Sequence, residues 1–406
     1  MAKLRKKAKR RLLLLTILLI GIFGLVFKFT LDNESSSFNS DNSLEKENIK
    51  KEPIKTTKVS LIATGDGLVH STVYKAAYEE TSKTYDFSSM LKYTKELISN
   101  YDIRYYNQET VFDDTKSYSG YPRFNTPSEF GINMIDAGFN MVSLATNHSM
   151  DMGSSSAKLS SSFWESQDGV LTHGMASSMD ARNNYEIMEK NDITYTMLSY
   201  TYGTNGLGTS AINAEPYLVN IYDEETVKKD IAAVRDKVDV LIVAMHWGNE
   251  YQQMASSIQK EQATFLASLD VDIILGTHSH CIQPWEMIDD TVVFYSFGNF
   301  ISNQMGAEQA SVRKLGTIGM FATLDITKTV DKINNTTTIK IDNIGADLNY
   351  SYRTYNNTTK KYEYLVIPFS KMEEKYLSNY ESIYNEFSNI LKKYNSNINI
   401  ASLPSN

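Results

Sequence analysis

Val271-Asp272-Ile273-Ile274-Leu275-Gly276-Thr277-His278-Ser279-His280 is a short apolar run that closes on a glycine and two histidines one residue apart. The run reads as a buried strand. Two imidazoles at its C-terminal end can enter one pocket if the backbone turns there, and Gly276 is expected to permit that turn. Neutral imidazole is the commonest protein ligand for a transition metal. Upstream, Val240-Leu-Ile-Val-Ala-Met-His246-Trp247-Gly248 has the same build. The chain has six histidines, His70, His148, His173, His246, His278 and His280, and most follow a strand-like run beside Gly, Asp or Asn. That placement predicts a polynuclear metal site assembled from strand ends.

Working outward, further strand-like runs end in polar residues. Val59–Thr64 ends at Gly65-Asp66, Tyr101–Tyr106 at Asn107-Gln108-Glu109, and Met141–Ala145 at Thr146-Asn147-His148. Thr194–Leu198 ends at Ser199-Tyr200, and Thr291–Tyr295 at Ser296-Phe-Gly298-Asn299. Helical patterns lie between several of them, at Phe87–Ser99, Glu129–Ala137, Glu224–Lys237 and Ser257–Leu269. In Glu224–Lys237, Val227, Ile231 and Val234 share one face. Alternating strands and helices predict an α/β fold with functional residues at strand C-terminal ends. From Ile318 to Ile344 the pattern turns to β, as a hairpin closing the sheet, with Tyr364–Pro368 as an edge strand. Lys371–Tyr394 reads as one or two amphipathic helices, followed by a frayed last dozen residues. The fold class expected is therefore α/β (α+β).

The strand ends supply Asp66, Glu109, Asn147 with His148, His246, and His278 with His280. Carboxylate, amide and imidazole together suit Mn, Fe, Zn or Mg better than a thiolate site. Six of these, leaving out His148, exceed one tetrahedral ion and suit two metals sharing a bridging carboxylate, which clamp the attacking and leaving oxygens of a phosphoryl or acyl displacement. His70 and His173 are further metal or supporting residues. Arg123 and Asn125, in Gly120-Tyr-Pro-Arg-Phe-Asn-Thr-Pro127, are placed to meet an anionic substrate, and Asn299 to fix the loop over the site. Cys281 is the sole cysteine, so no intrachain disulfide forms. It reads as a small buried hydrophobe.

The N-terminus carries seven basic residues within positions 3–11, then an uncharged stretch from Leu12 to Val26 closed by Phe27-Lys28-Phe29. About 17–20 apolar residues span a bilayer, so 12–30 is expected to be an uncleaved transmembrane anchor, with the basic tail 1–11 cytoplasmic. Residues 31–57, rich in Ser, Asn, Lys and Glu, read as a disordered tether. Beyond residue 30, 32 basic residues face all 48 acidic ones, a net of −16. That balance excludes nucleic acid as the main partner and fits an acidic extracellular domain at 58–345 with a C-terminal extension at 346–406.

Several motifs together resemble a known family: Gly65-Asp66, Asn107-Gln108-Glu109, Leu144-Ala-Thr-Asn147-His148-Ser-Met-Asp151-Met-Gly153 and His246-Trp247-Gly248-Asn249-Glu250-Tyr251. To these add Gly276-Thr-His278-Ser-His280 with Gln283-Pro284, and Tyr295-Ser296-Phe-Gly298-Asn299-Phe300. They are similar to the CapA (PgsA) family of poly-γ-glutamate capsule synthesis proteins, over about residues 58–305. The resemblance implies a four-layer αββα sandwich of the calcineurin-like metallophosphatase type, with two divalent metals at the strand ends and an N-terminal membrane helix. It implies that Glu109 bridges the metals. Asn147, His246 and His278 would bind one ion, and Asp66 and His280 the other. His148 would be the proton donor to the leaving group, oriented by Asp151. One departure is that Asp66-Gly67-Leu68 lacks the histidine that the phosphatases carry two residues on; His70 stands four on.

The function so implied is synthesis, export or anchoring of an anionic surface polymer such as poly-γ-glutamate, alongside other capsule synthase subunits, with the metal site either hydrolysing a phosphate or amide bond or holding polymer carboxylates. A non-catalytic structural subunit of a membrane synthase and a secreted metal-dependent phosphodiesterase are the other readings.

Overall fold

Side chains along a strand alternate between the two faces of its sheet, and the central strands here are apolar on both. The structure, a computed structural model, describes residues 54–404. Its larger sheet runs from Lys361–Pro368 through Thr336–Asn356, Ile318–Asp331, Lys55–Gly67, Ile103–Gln108 and Met141–Ser143 to Leu171–His173. The smaller runs from Trp285–Ile288 through Thr291–Phe294, Ile273–Thr277, Val240–His246 and Ile193–Thr201 to Met188–Lys190. Leu61, Ala63, Tyr105 and Met141 share one buried cluster with Met197, Ile242, Ala244 and Leu275, so the two sheets pack face to face. Their neighbours Ile62, Tyr106 and Val142 face the other way, against Val73, Phe130, Met134 and Trp164 of three helices. Leu241, Val243 and Ile274 likewise turn outward onto Val227, Ile231, Ala263 and Leu266 of the helices Glu224–Val234 and Ser257–Ser268. The layers therefore run helix, sheet, sheet, helix. Each fully buried aliphatic contributes about 1.5–3 kcal/mol, which is why strands apolar on both sides demand cover on both.

Register brings the functional ends together. Asp66 pairs with Asn107 on one side and Asn299 on the other, and Ser143 pairs with His173. In the smaller sheet His246 stands level with both Thr277 and Thr201. Two glycines make this possible by close approach. A Cβ on Gly65 would sit 1.7 Å from the Gly298 carbonyl oxygen, and one on Gly276 would sit 2.0 Å from that of Tyr295. Gly276 is thus an extended strand residue crowded by a neighbour, and the turn expected of it is made by the histidines themselves, at φ +87° for His278 and +55° for His280.

The expected helices are present, three of them shortened by 3-10 turns or a residue at their ends: Glu129–Ala137, Glu224–Val234, Ser257–Ser268, and a 3-10 turn leading into Lys92–Ile98. Other expectations need correction. The tether does not reach residue 57, because Lys55 already pairs with Val330. Position 345 is no joint: the strand Thr336–Asn356 runs across it, and Ile383, Phe387 and Leu391 of the C-terminal helix enter the cluster between the sheets. The chain end is not frayed at Asn399–Ile400, which pairs with Gly345–Ala346. Helix Ser154–Glu165 was not signalled by the sequence, since its buried face is largely small and polar, with Ser156, Ser160 and Ser161 beside Ala157 and Trp164. The basic tail 1–11, the anchor 12–30 and the tether up to residue 53 lie outside the described residues. Among the described residues, no helix is long and apolar enough to cross a membrane.

Candidate metal centre

Glu109 stands at the middle of the strand-end cluster, fully buried just beyond the strand Ile103–Gln108. It belongs to two groups whose ligand atoms lie within 4.8 Å of one another: Glu109, His246 and His278, and Asp66, Glu109 and His280. His246 Nε2 is 3.8 Å and His280 Nε2 3.7 Å from Glu109 Oε1. Asn147 Oδ1 lies 2.8 Å from His246 Nε2, which attaches it to the first group. The six residues that the sequence assigned as ligands are therefore gathered around one carboxylate.

Neither Glu109 oxygen has a hydrogen-bond partner, and neither does Nδ1 of His278, though all three atoms are buried. Buried polar atoms are normally paired, and an unpaired carboxylate is the costliest exception. Burial pushes His278 down to about 3 and His246 well below the ordinary imidazole range. Both are therefore neutral, as a ligand must be. Burial also raises Glu109 well above the usual carboxylate range, and would lower His280, but the Glu109 charge and the Asp66 hydrogen bond hold His280 up to about 10. Both shifts come from burying Glu109 and His280 side by side. Two orphaned oxygens flanked by imidazoles and a second acid fit divalent metals.

A second ring of residues aims the ligands. Thr277 Oγ1 is 2.9 Å from His246 Nδ1, leaving Nε2 turned to the centre. Asn107 Nδ2 donates to Asp66 Oδ1 at 2.8 Å, while its Oδ1 accepts from Ser143 Oγ at 2.6 Å. Asn299 does more than fix a loop: its Oδ1 is 3.0 Å from His280 Nδ1 and its Nδ2 donates to the Gly316 carbonyl. Asp66 Oδ2 is 3.2 Å from the same His280 nitrogen. The Tyr202 ring lies 4.7 Å from that of His278, and Tyr251 5.9 Å from His280. Asn107, Thr277 and Tyr251 stand in quoted motifs without an assigned role, and Tyr202 carried no signal, since their relevance depends on strand register and loop closure.

His148 lies beside the cluster. Its Nδ1 is 2.7 Å from Asp151 Oδ2, and the same oxygen accepts from the Phe124 backbone N–H at 2.6 Å. The Phe124 ring stands edge-on to His148 at 4.7 Å and to His70 at 5.3 Å. Arg123 Nε donates to the Asp151 carbonyl, holding this loop to the His148 turn.

Other expected residues are placed elsewhere. Asn125 is buried and pins its own loop: its Oδ1 accepts from Asp113 N–H and its Nδ2 donates to the Asp113 and Ser117 carbonyls, so both amide hydrogens are used within that loop. His70 joins neither ligand group; its Nδ1 lies 3.0 Å from the Leu68 carbonyl and 3.1 Å from the Asn303 nitrogen, and each tautomer bonds one of them. His173 also joins neither, and its Nδ1 accepts from Ser199 N–H at 2.8 Å.

Comparison with known proteins adds context. Residues 60–304 match the family described as bacterial capsule synthesis protein PGA_cap. The chain is similar to the PGA biosynthesis protein CapA of Bacillus subtilis (strain 168), at 30% identity over 42% of this chain and 44% of that protein. It is similar to the capsule biosynthesis protein CapA of Bacillus anthracis, at 24% identity over 61% of this chain and 60% of that protein. The chain thus spans roughly half the length of these relatives. The calcineurin-like phosphoesterase YfkN of Bacillus subtilis aligns with 82% of this chain and 98% of its own at 13% identity and a TM-score of 0.37.

Proposed function

This chain belongs to the bacterial capsule synthesis protein family PGA_cap, and on that premise we propose that it is a metal-dependent hydrolase of a phosphate or amide bond serving synthesis, export or anchoring of an anionic surface polymer such as poly-γ-glutamate. Its fold is of the metallophosphatase type. Residues 12–30 hold it in the membrane, the described domain lies outside the cell, and other capsule synthase subunits are its partners. The observation that carries the reading is Glu109, a buried carboxylate whose two oxygens meet no donor although the His246 and His280 rings both come within 3.8 Å of one of them.

In this assignment Glu109, Asn147, His246 and His278 would hold one ion, and Glu109, Asp66 and His280 the other. Such ions, when bound, polarise a phosphoryl or acyl oxygen and make a coordinated water nucleophilic at neutral pH. Asp151 holds His148 through Nδ1, so Nε2 is the atom that hands a proton to the leaving oxygen or nitrogen. Asp151 is itself fixed by Phe124 N–H, which limits rotation of the pair. Thr277 and Asn299 keep His246 and His280 aimed.

The test is metal analysis of the purified protein. Two equivalents of Mn, Fe or Zn, lost in His278→Ala with the fold intact by circular dichroism, support the proposal. A folded protein that takes up no metal after incubation with each ion defeats it.

A further inference from the structure

We propose that a second site, separate from the metal ligands, binds a neutral hydroxyl- and acetamide-bearing ligand, one or two sugar units of a glycan. A cavity of about 710 Å³ lies between helix Met179–Asn183, the Gly203–Gly208 loop and the start of helix Glu224–Val234. That is within the range of small-ligand pockets, about 300–1,000 Å³.

Its lining is charge-balanced: Arg182 and Lys229 against Asp223 and Asp230. Three of these groups are committed. Arg182 Nη2 donates to Asp230 Oδ2 at 2.5 Å, and Asp230 also accepts from Tyr185 and Tyr200. Asp223 accepts from Thr226 N–H as a helix cap. With no excess of positive charge, the cavity lacks what selects a polyanion. What remains besides the Lys229 ammonium is amide and hydroxyl, from Asn183, Asn213, Asn220, Thr204 and Thr209, over an apolar floor of Ile212, Val219 and Ile221. Polar edges over apolar faces are also the make-up of a sugar ring.

Asn220 gives the independent sign of a ligand. It is 4% exposed. Its Nδ2 donates to the Ser199 carbonyl at 3.2 Å and lies 3.3 Å from His173 Nδ1, which fixes the amide orientation. Its Oδ1 accepts nothing. An unpaired buried acceptor on a cavity wall calls for an incoming O–H or N–H, which a sugar hydroxyl or acetamido group supplies. The inference does not depend on the metal chemistry, although the two sites adjoin: the same loop region carries Tyr202 to His278 and Asn205 to within 3.4 Å of Asn147.

The experiment is isothermal titration of the full chain, held in a detergent without a sugar headgroup, with N,N′-diacetylchitobiose, maltose and a γ-glutamyl dipeptide. Asn213→Ala and Thr209→Val change exposed wall residues and spare buried Asn220. Saturable binding of either sugar, weakened about tenfold or more in both variants, about 1.4 kcal/mol, and unchanged by chelation of metal supports the site. No saturation by either sugar up to about 10 mM, where binding would be worth less than about 3 kcal/mol, overturns it. So does binding that ignores both substitutions, or dipeptide binding that is lost with them.

Discussion

Replacing Glu109 by Gln should move stability in opposite directions with and without metal. The metal-free protein buries a carboxylate whose oxygens have no partner, and leaving such a group unsatisfied costs about 1–3 kcal/mol or more. Glutamine has the same shape without the charge and pays a smaller desolvation cost, so the metal-free variant should gain about 1–2 kcal/mol. About 350 residues are described; at roughly 2.1 cal/mol/K per residue the unfolding entropy is about 0.7 kcal/mol/K, so 1 kcal/mol shifts Tm by about 1.4 °C. The expected metal-free shift is therefore upward by about 1–3 °C. Wild type with free Mn²⁺ or Zn²⁺ at a hundredfold excess over Kd gains about 2.7 kcal/mol, or about 4 °C. The variant should gain almost none of this, having lost the group shared by both ligand sets. The assay is differential scanning calorimetry of both proteins, after chelation and after adding the ion. A metal increment equal to that of wild type would refute Glu109 as a ligand. A metal-free variant several degrees less stable would show that Glu109 is instead the structural partner of His280.

His148→Gln should lower turnover of a chromogenic phosphodiester by about 10²–10⁴ while metal content stays unchanged, measured by kinetics and elemental analysis of one preparation. Asn299→Ala frees His280 Nδ1 from its amide and should weaken metal affinity by roughly 10–100-fold, read by competition with a coloured chelator. His173 makes acid unfolding steeper. Burial lowers it from 6.5 to about 3 in the folded chain, so the stability it contributes is complete above pH 6.5 and is lost as pH falls toward about 3. At 1.36 kcal/mol per unit the loss is a few kcal/mol, and urea titrations of His173→Gln at pH 7 and pH 4.5 should show a flatter dependence than wild type.

The sequence exposed what depends on local pattern. Strands apolar on both faces were visible because Ile242, Val243 and Ala244 must all be covered, and their polar ends followed from where the apolar runs stop. Glu224–Val234 was visible because its buried positions recur at helical spacing. Ser154–Glu165 was hidden because serine lowers the contrast between its two faces. The supporting residues were hidden for a different reason. Thr277 reaches His246 through the register of two parallel strands, and Asn107 reaches Asp66 across another such pair. Neither pairing leaves a trace in residue order. Asn125 misled because a buried amide tied to its own loop has the same local sequence as one that faces a substrate.

The turn at Thr277–His280 shows why chemistry and stability compete at this point in the fold. Non-glycine residues at positive φ cost about 1–3 kcal/mol each, and two of them stand here within three positions. Glycine at either would relieve the strain, yet it would remove an imidazole. The surroundings hold the conformation instead: Tyr251 N–H donates to the Ser279 carbonyl between the two histidines at 2.7 Å, and Ser279 Oγ donates to the Cys281 carbonyl at 2.9 Å. An extended backbone would set the two histidines about 6.6 Å apart along one face. The curled one brings their rings to 5.9 Å, with each in a different one of the two candidate ligand groups that share Glu109. Strain kept at two candidate ligands, and met by one hydrogen bond from a separate loop and one within the turn, is expected where the geometry is set before an ion arrives.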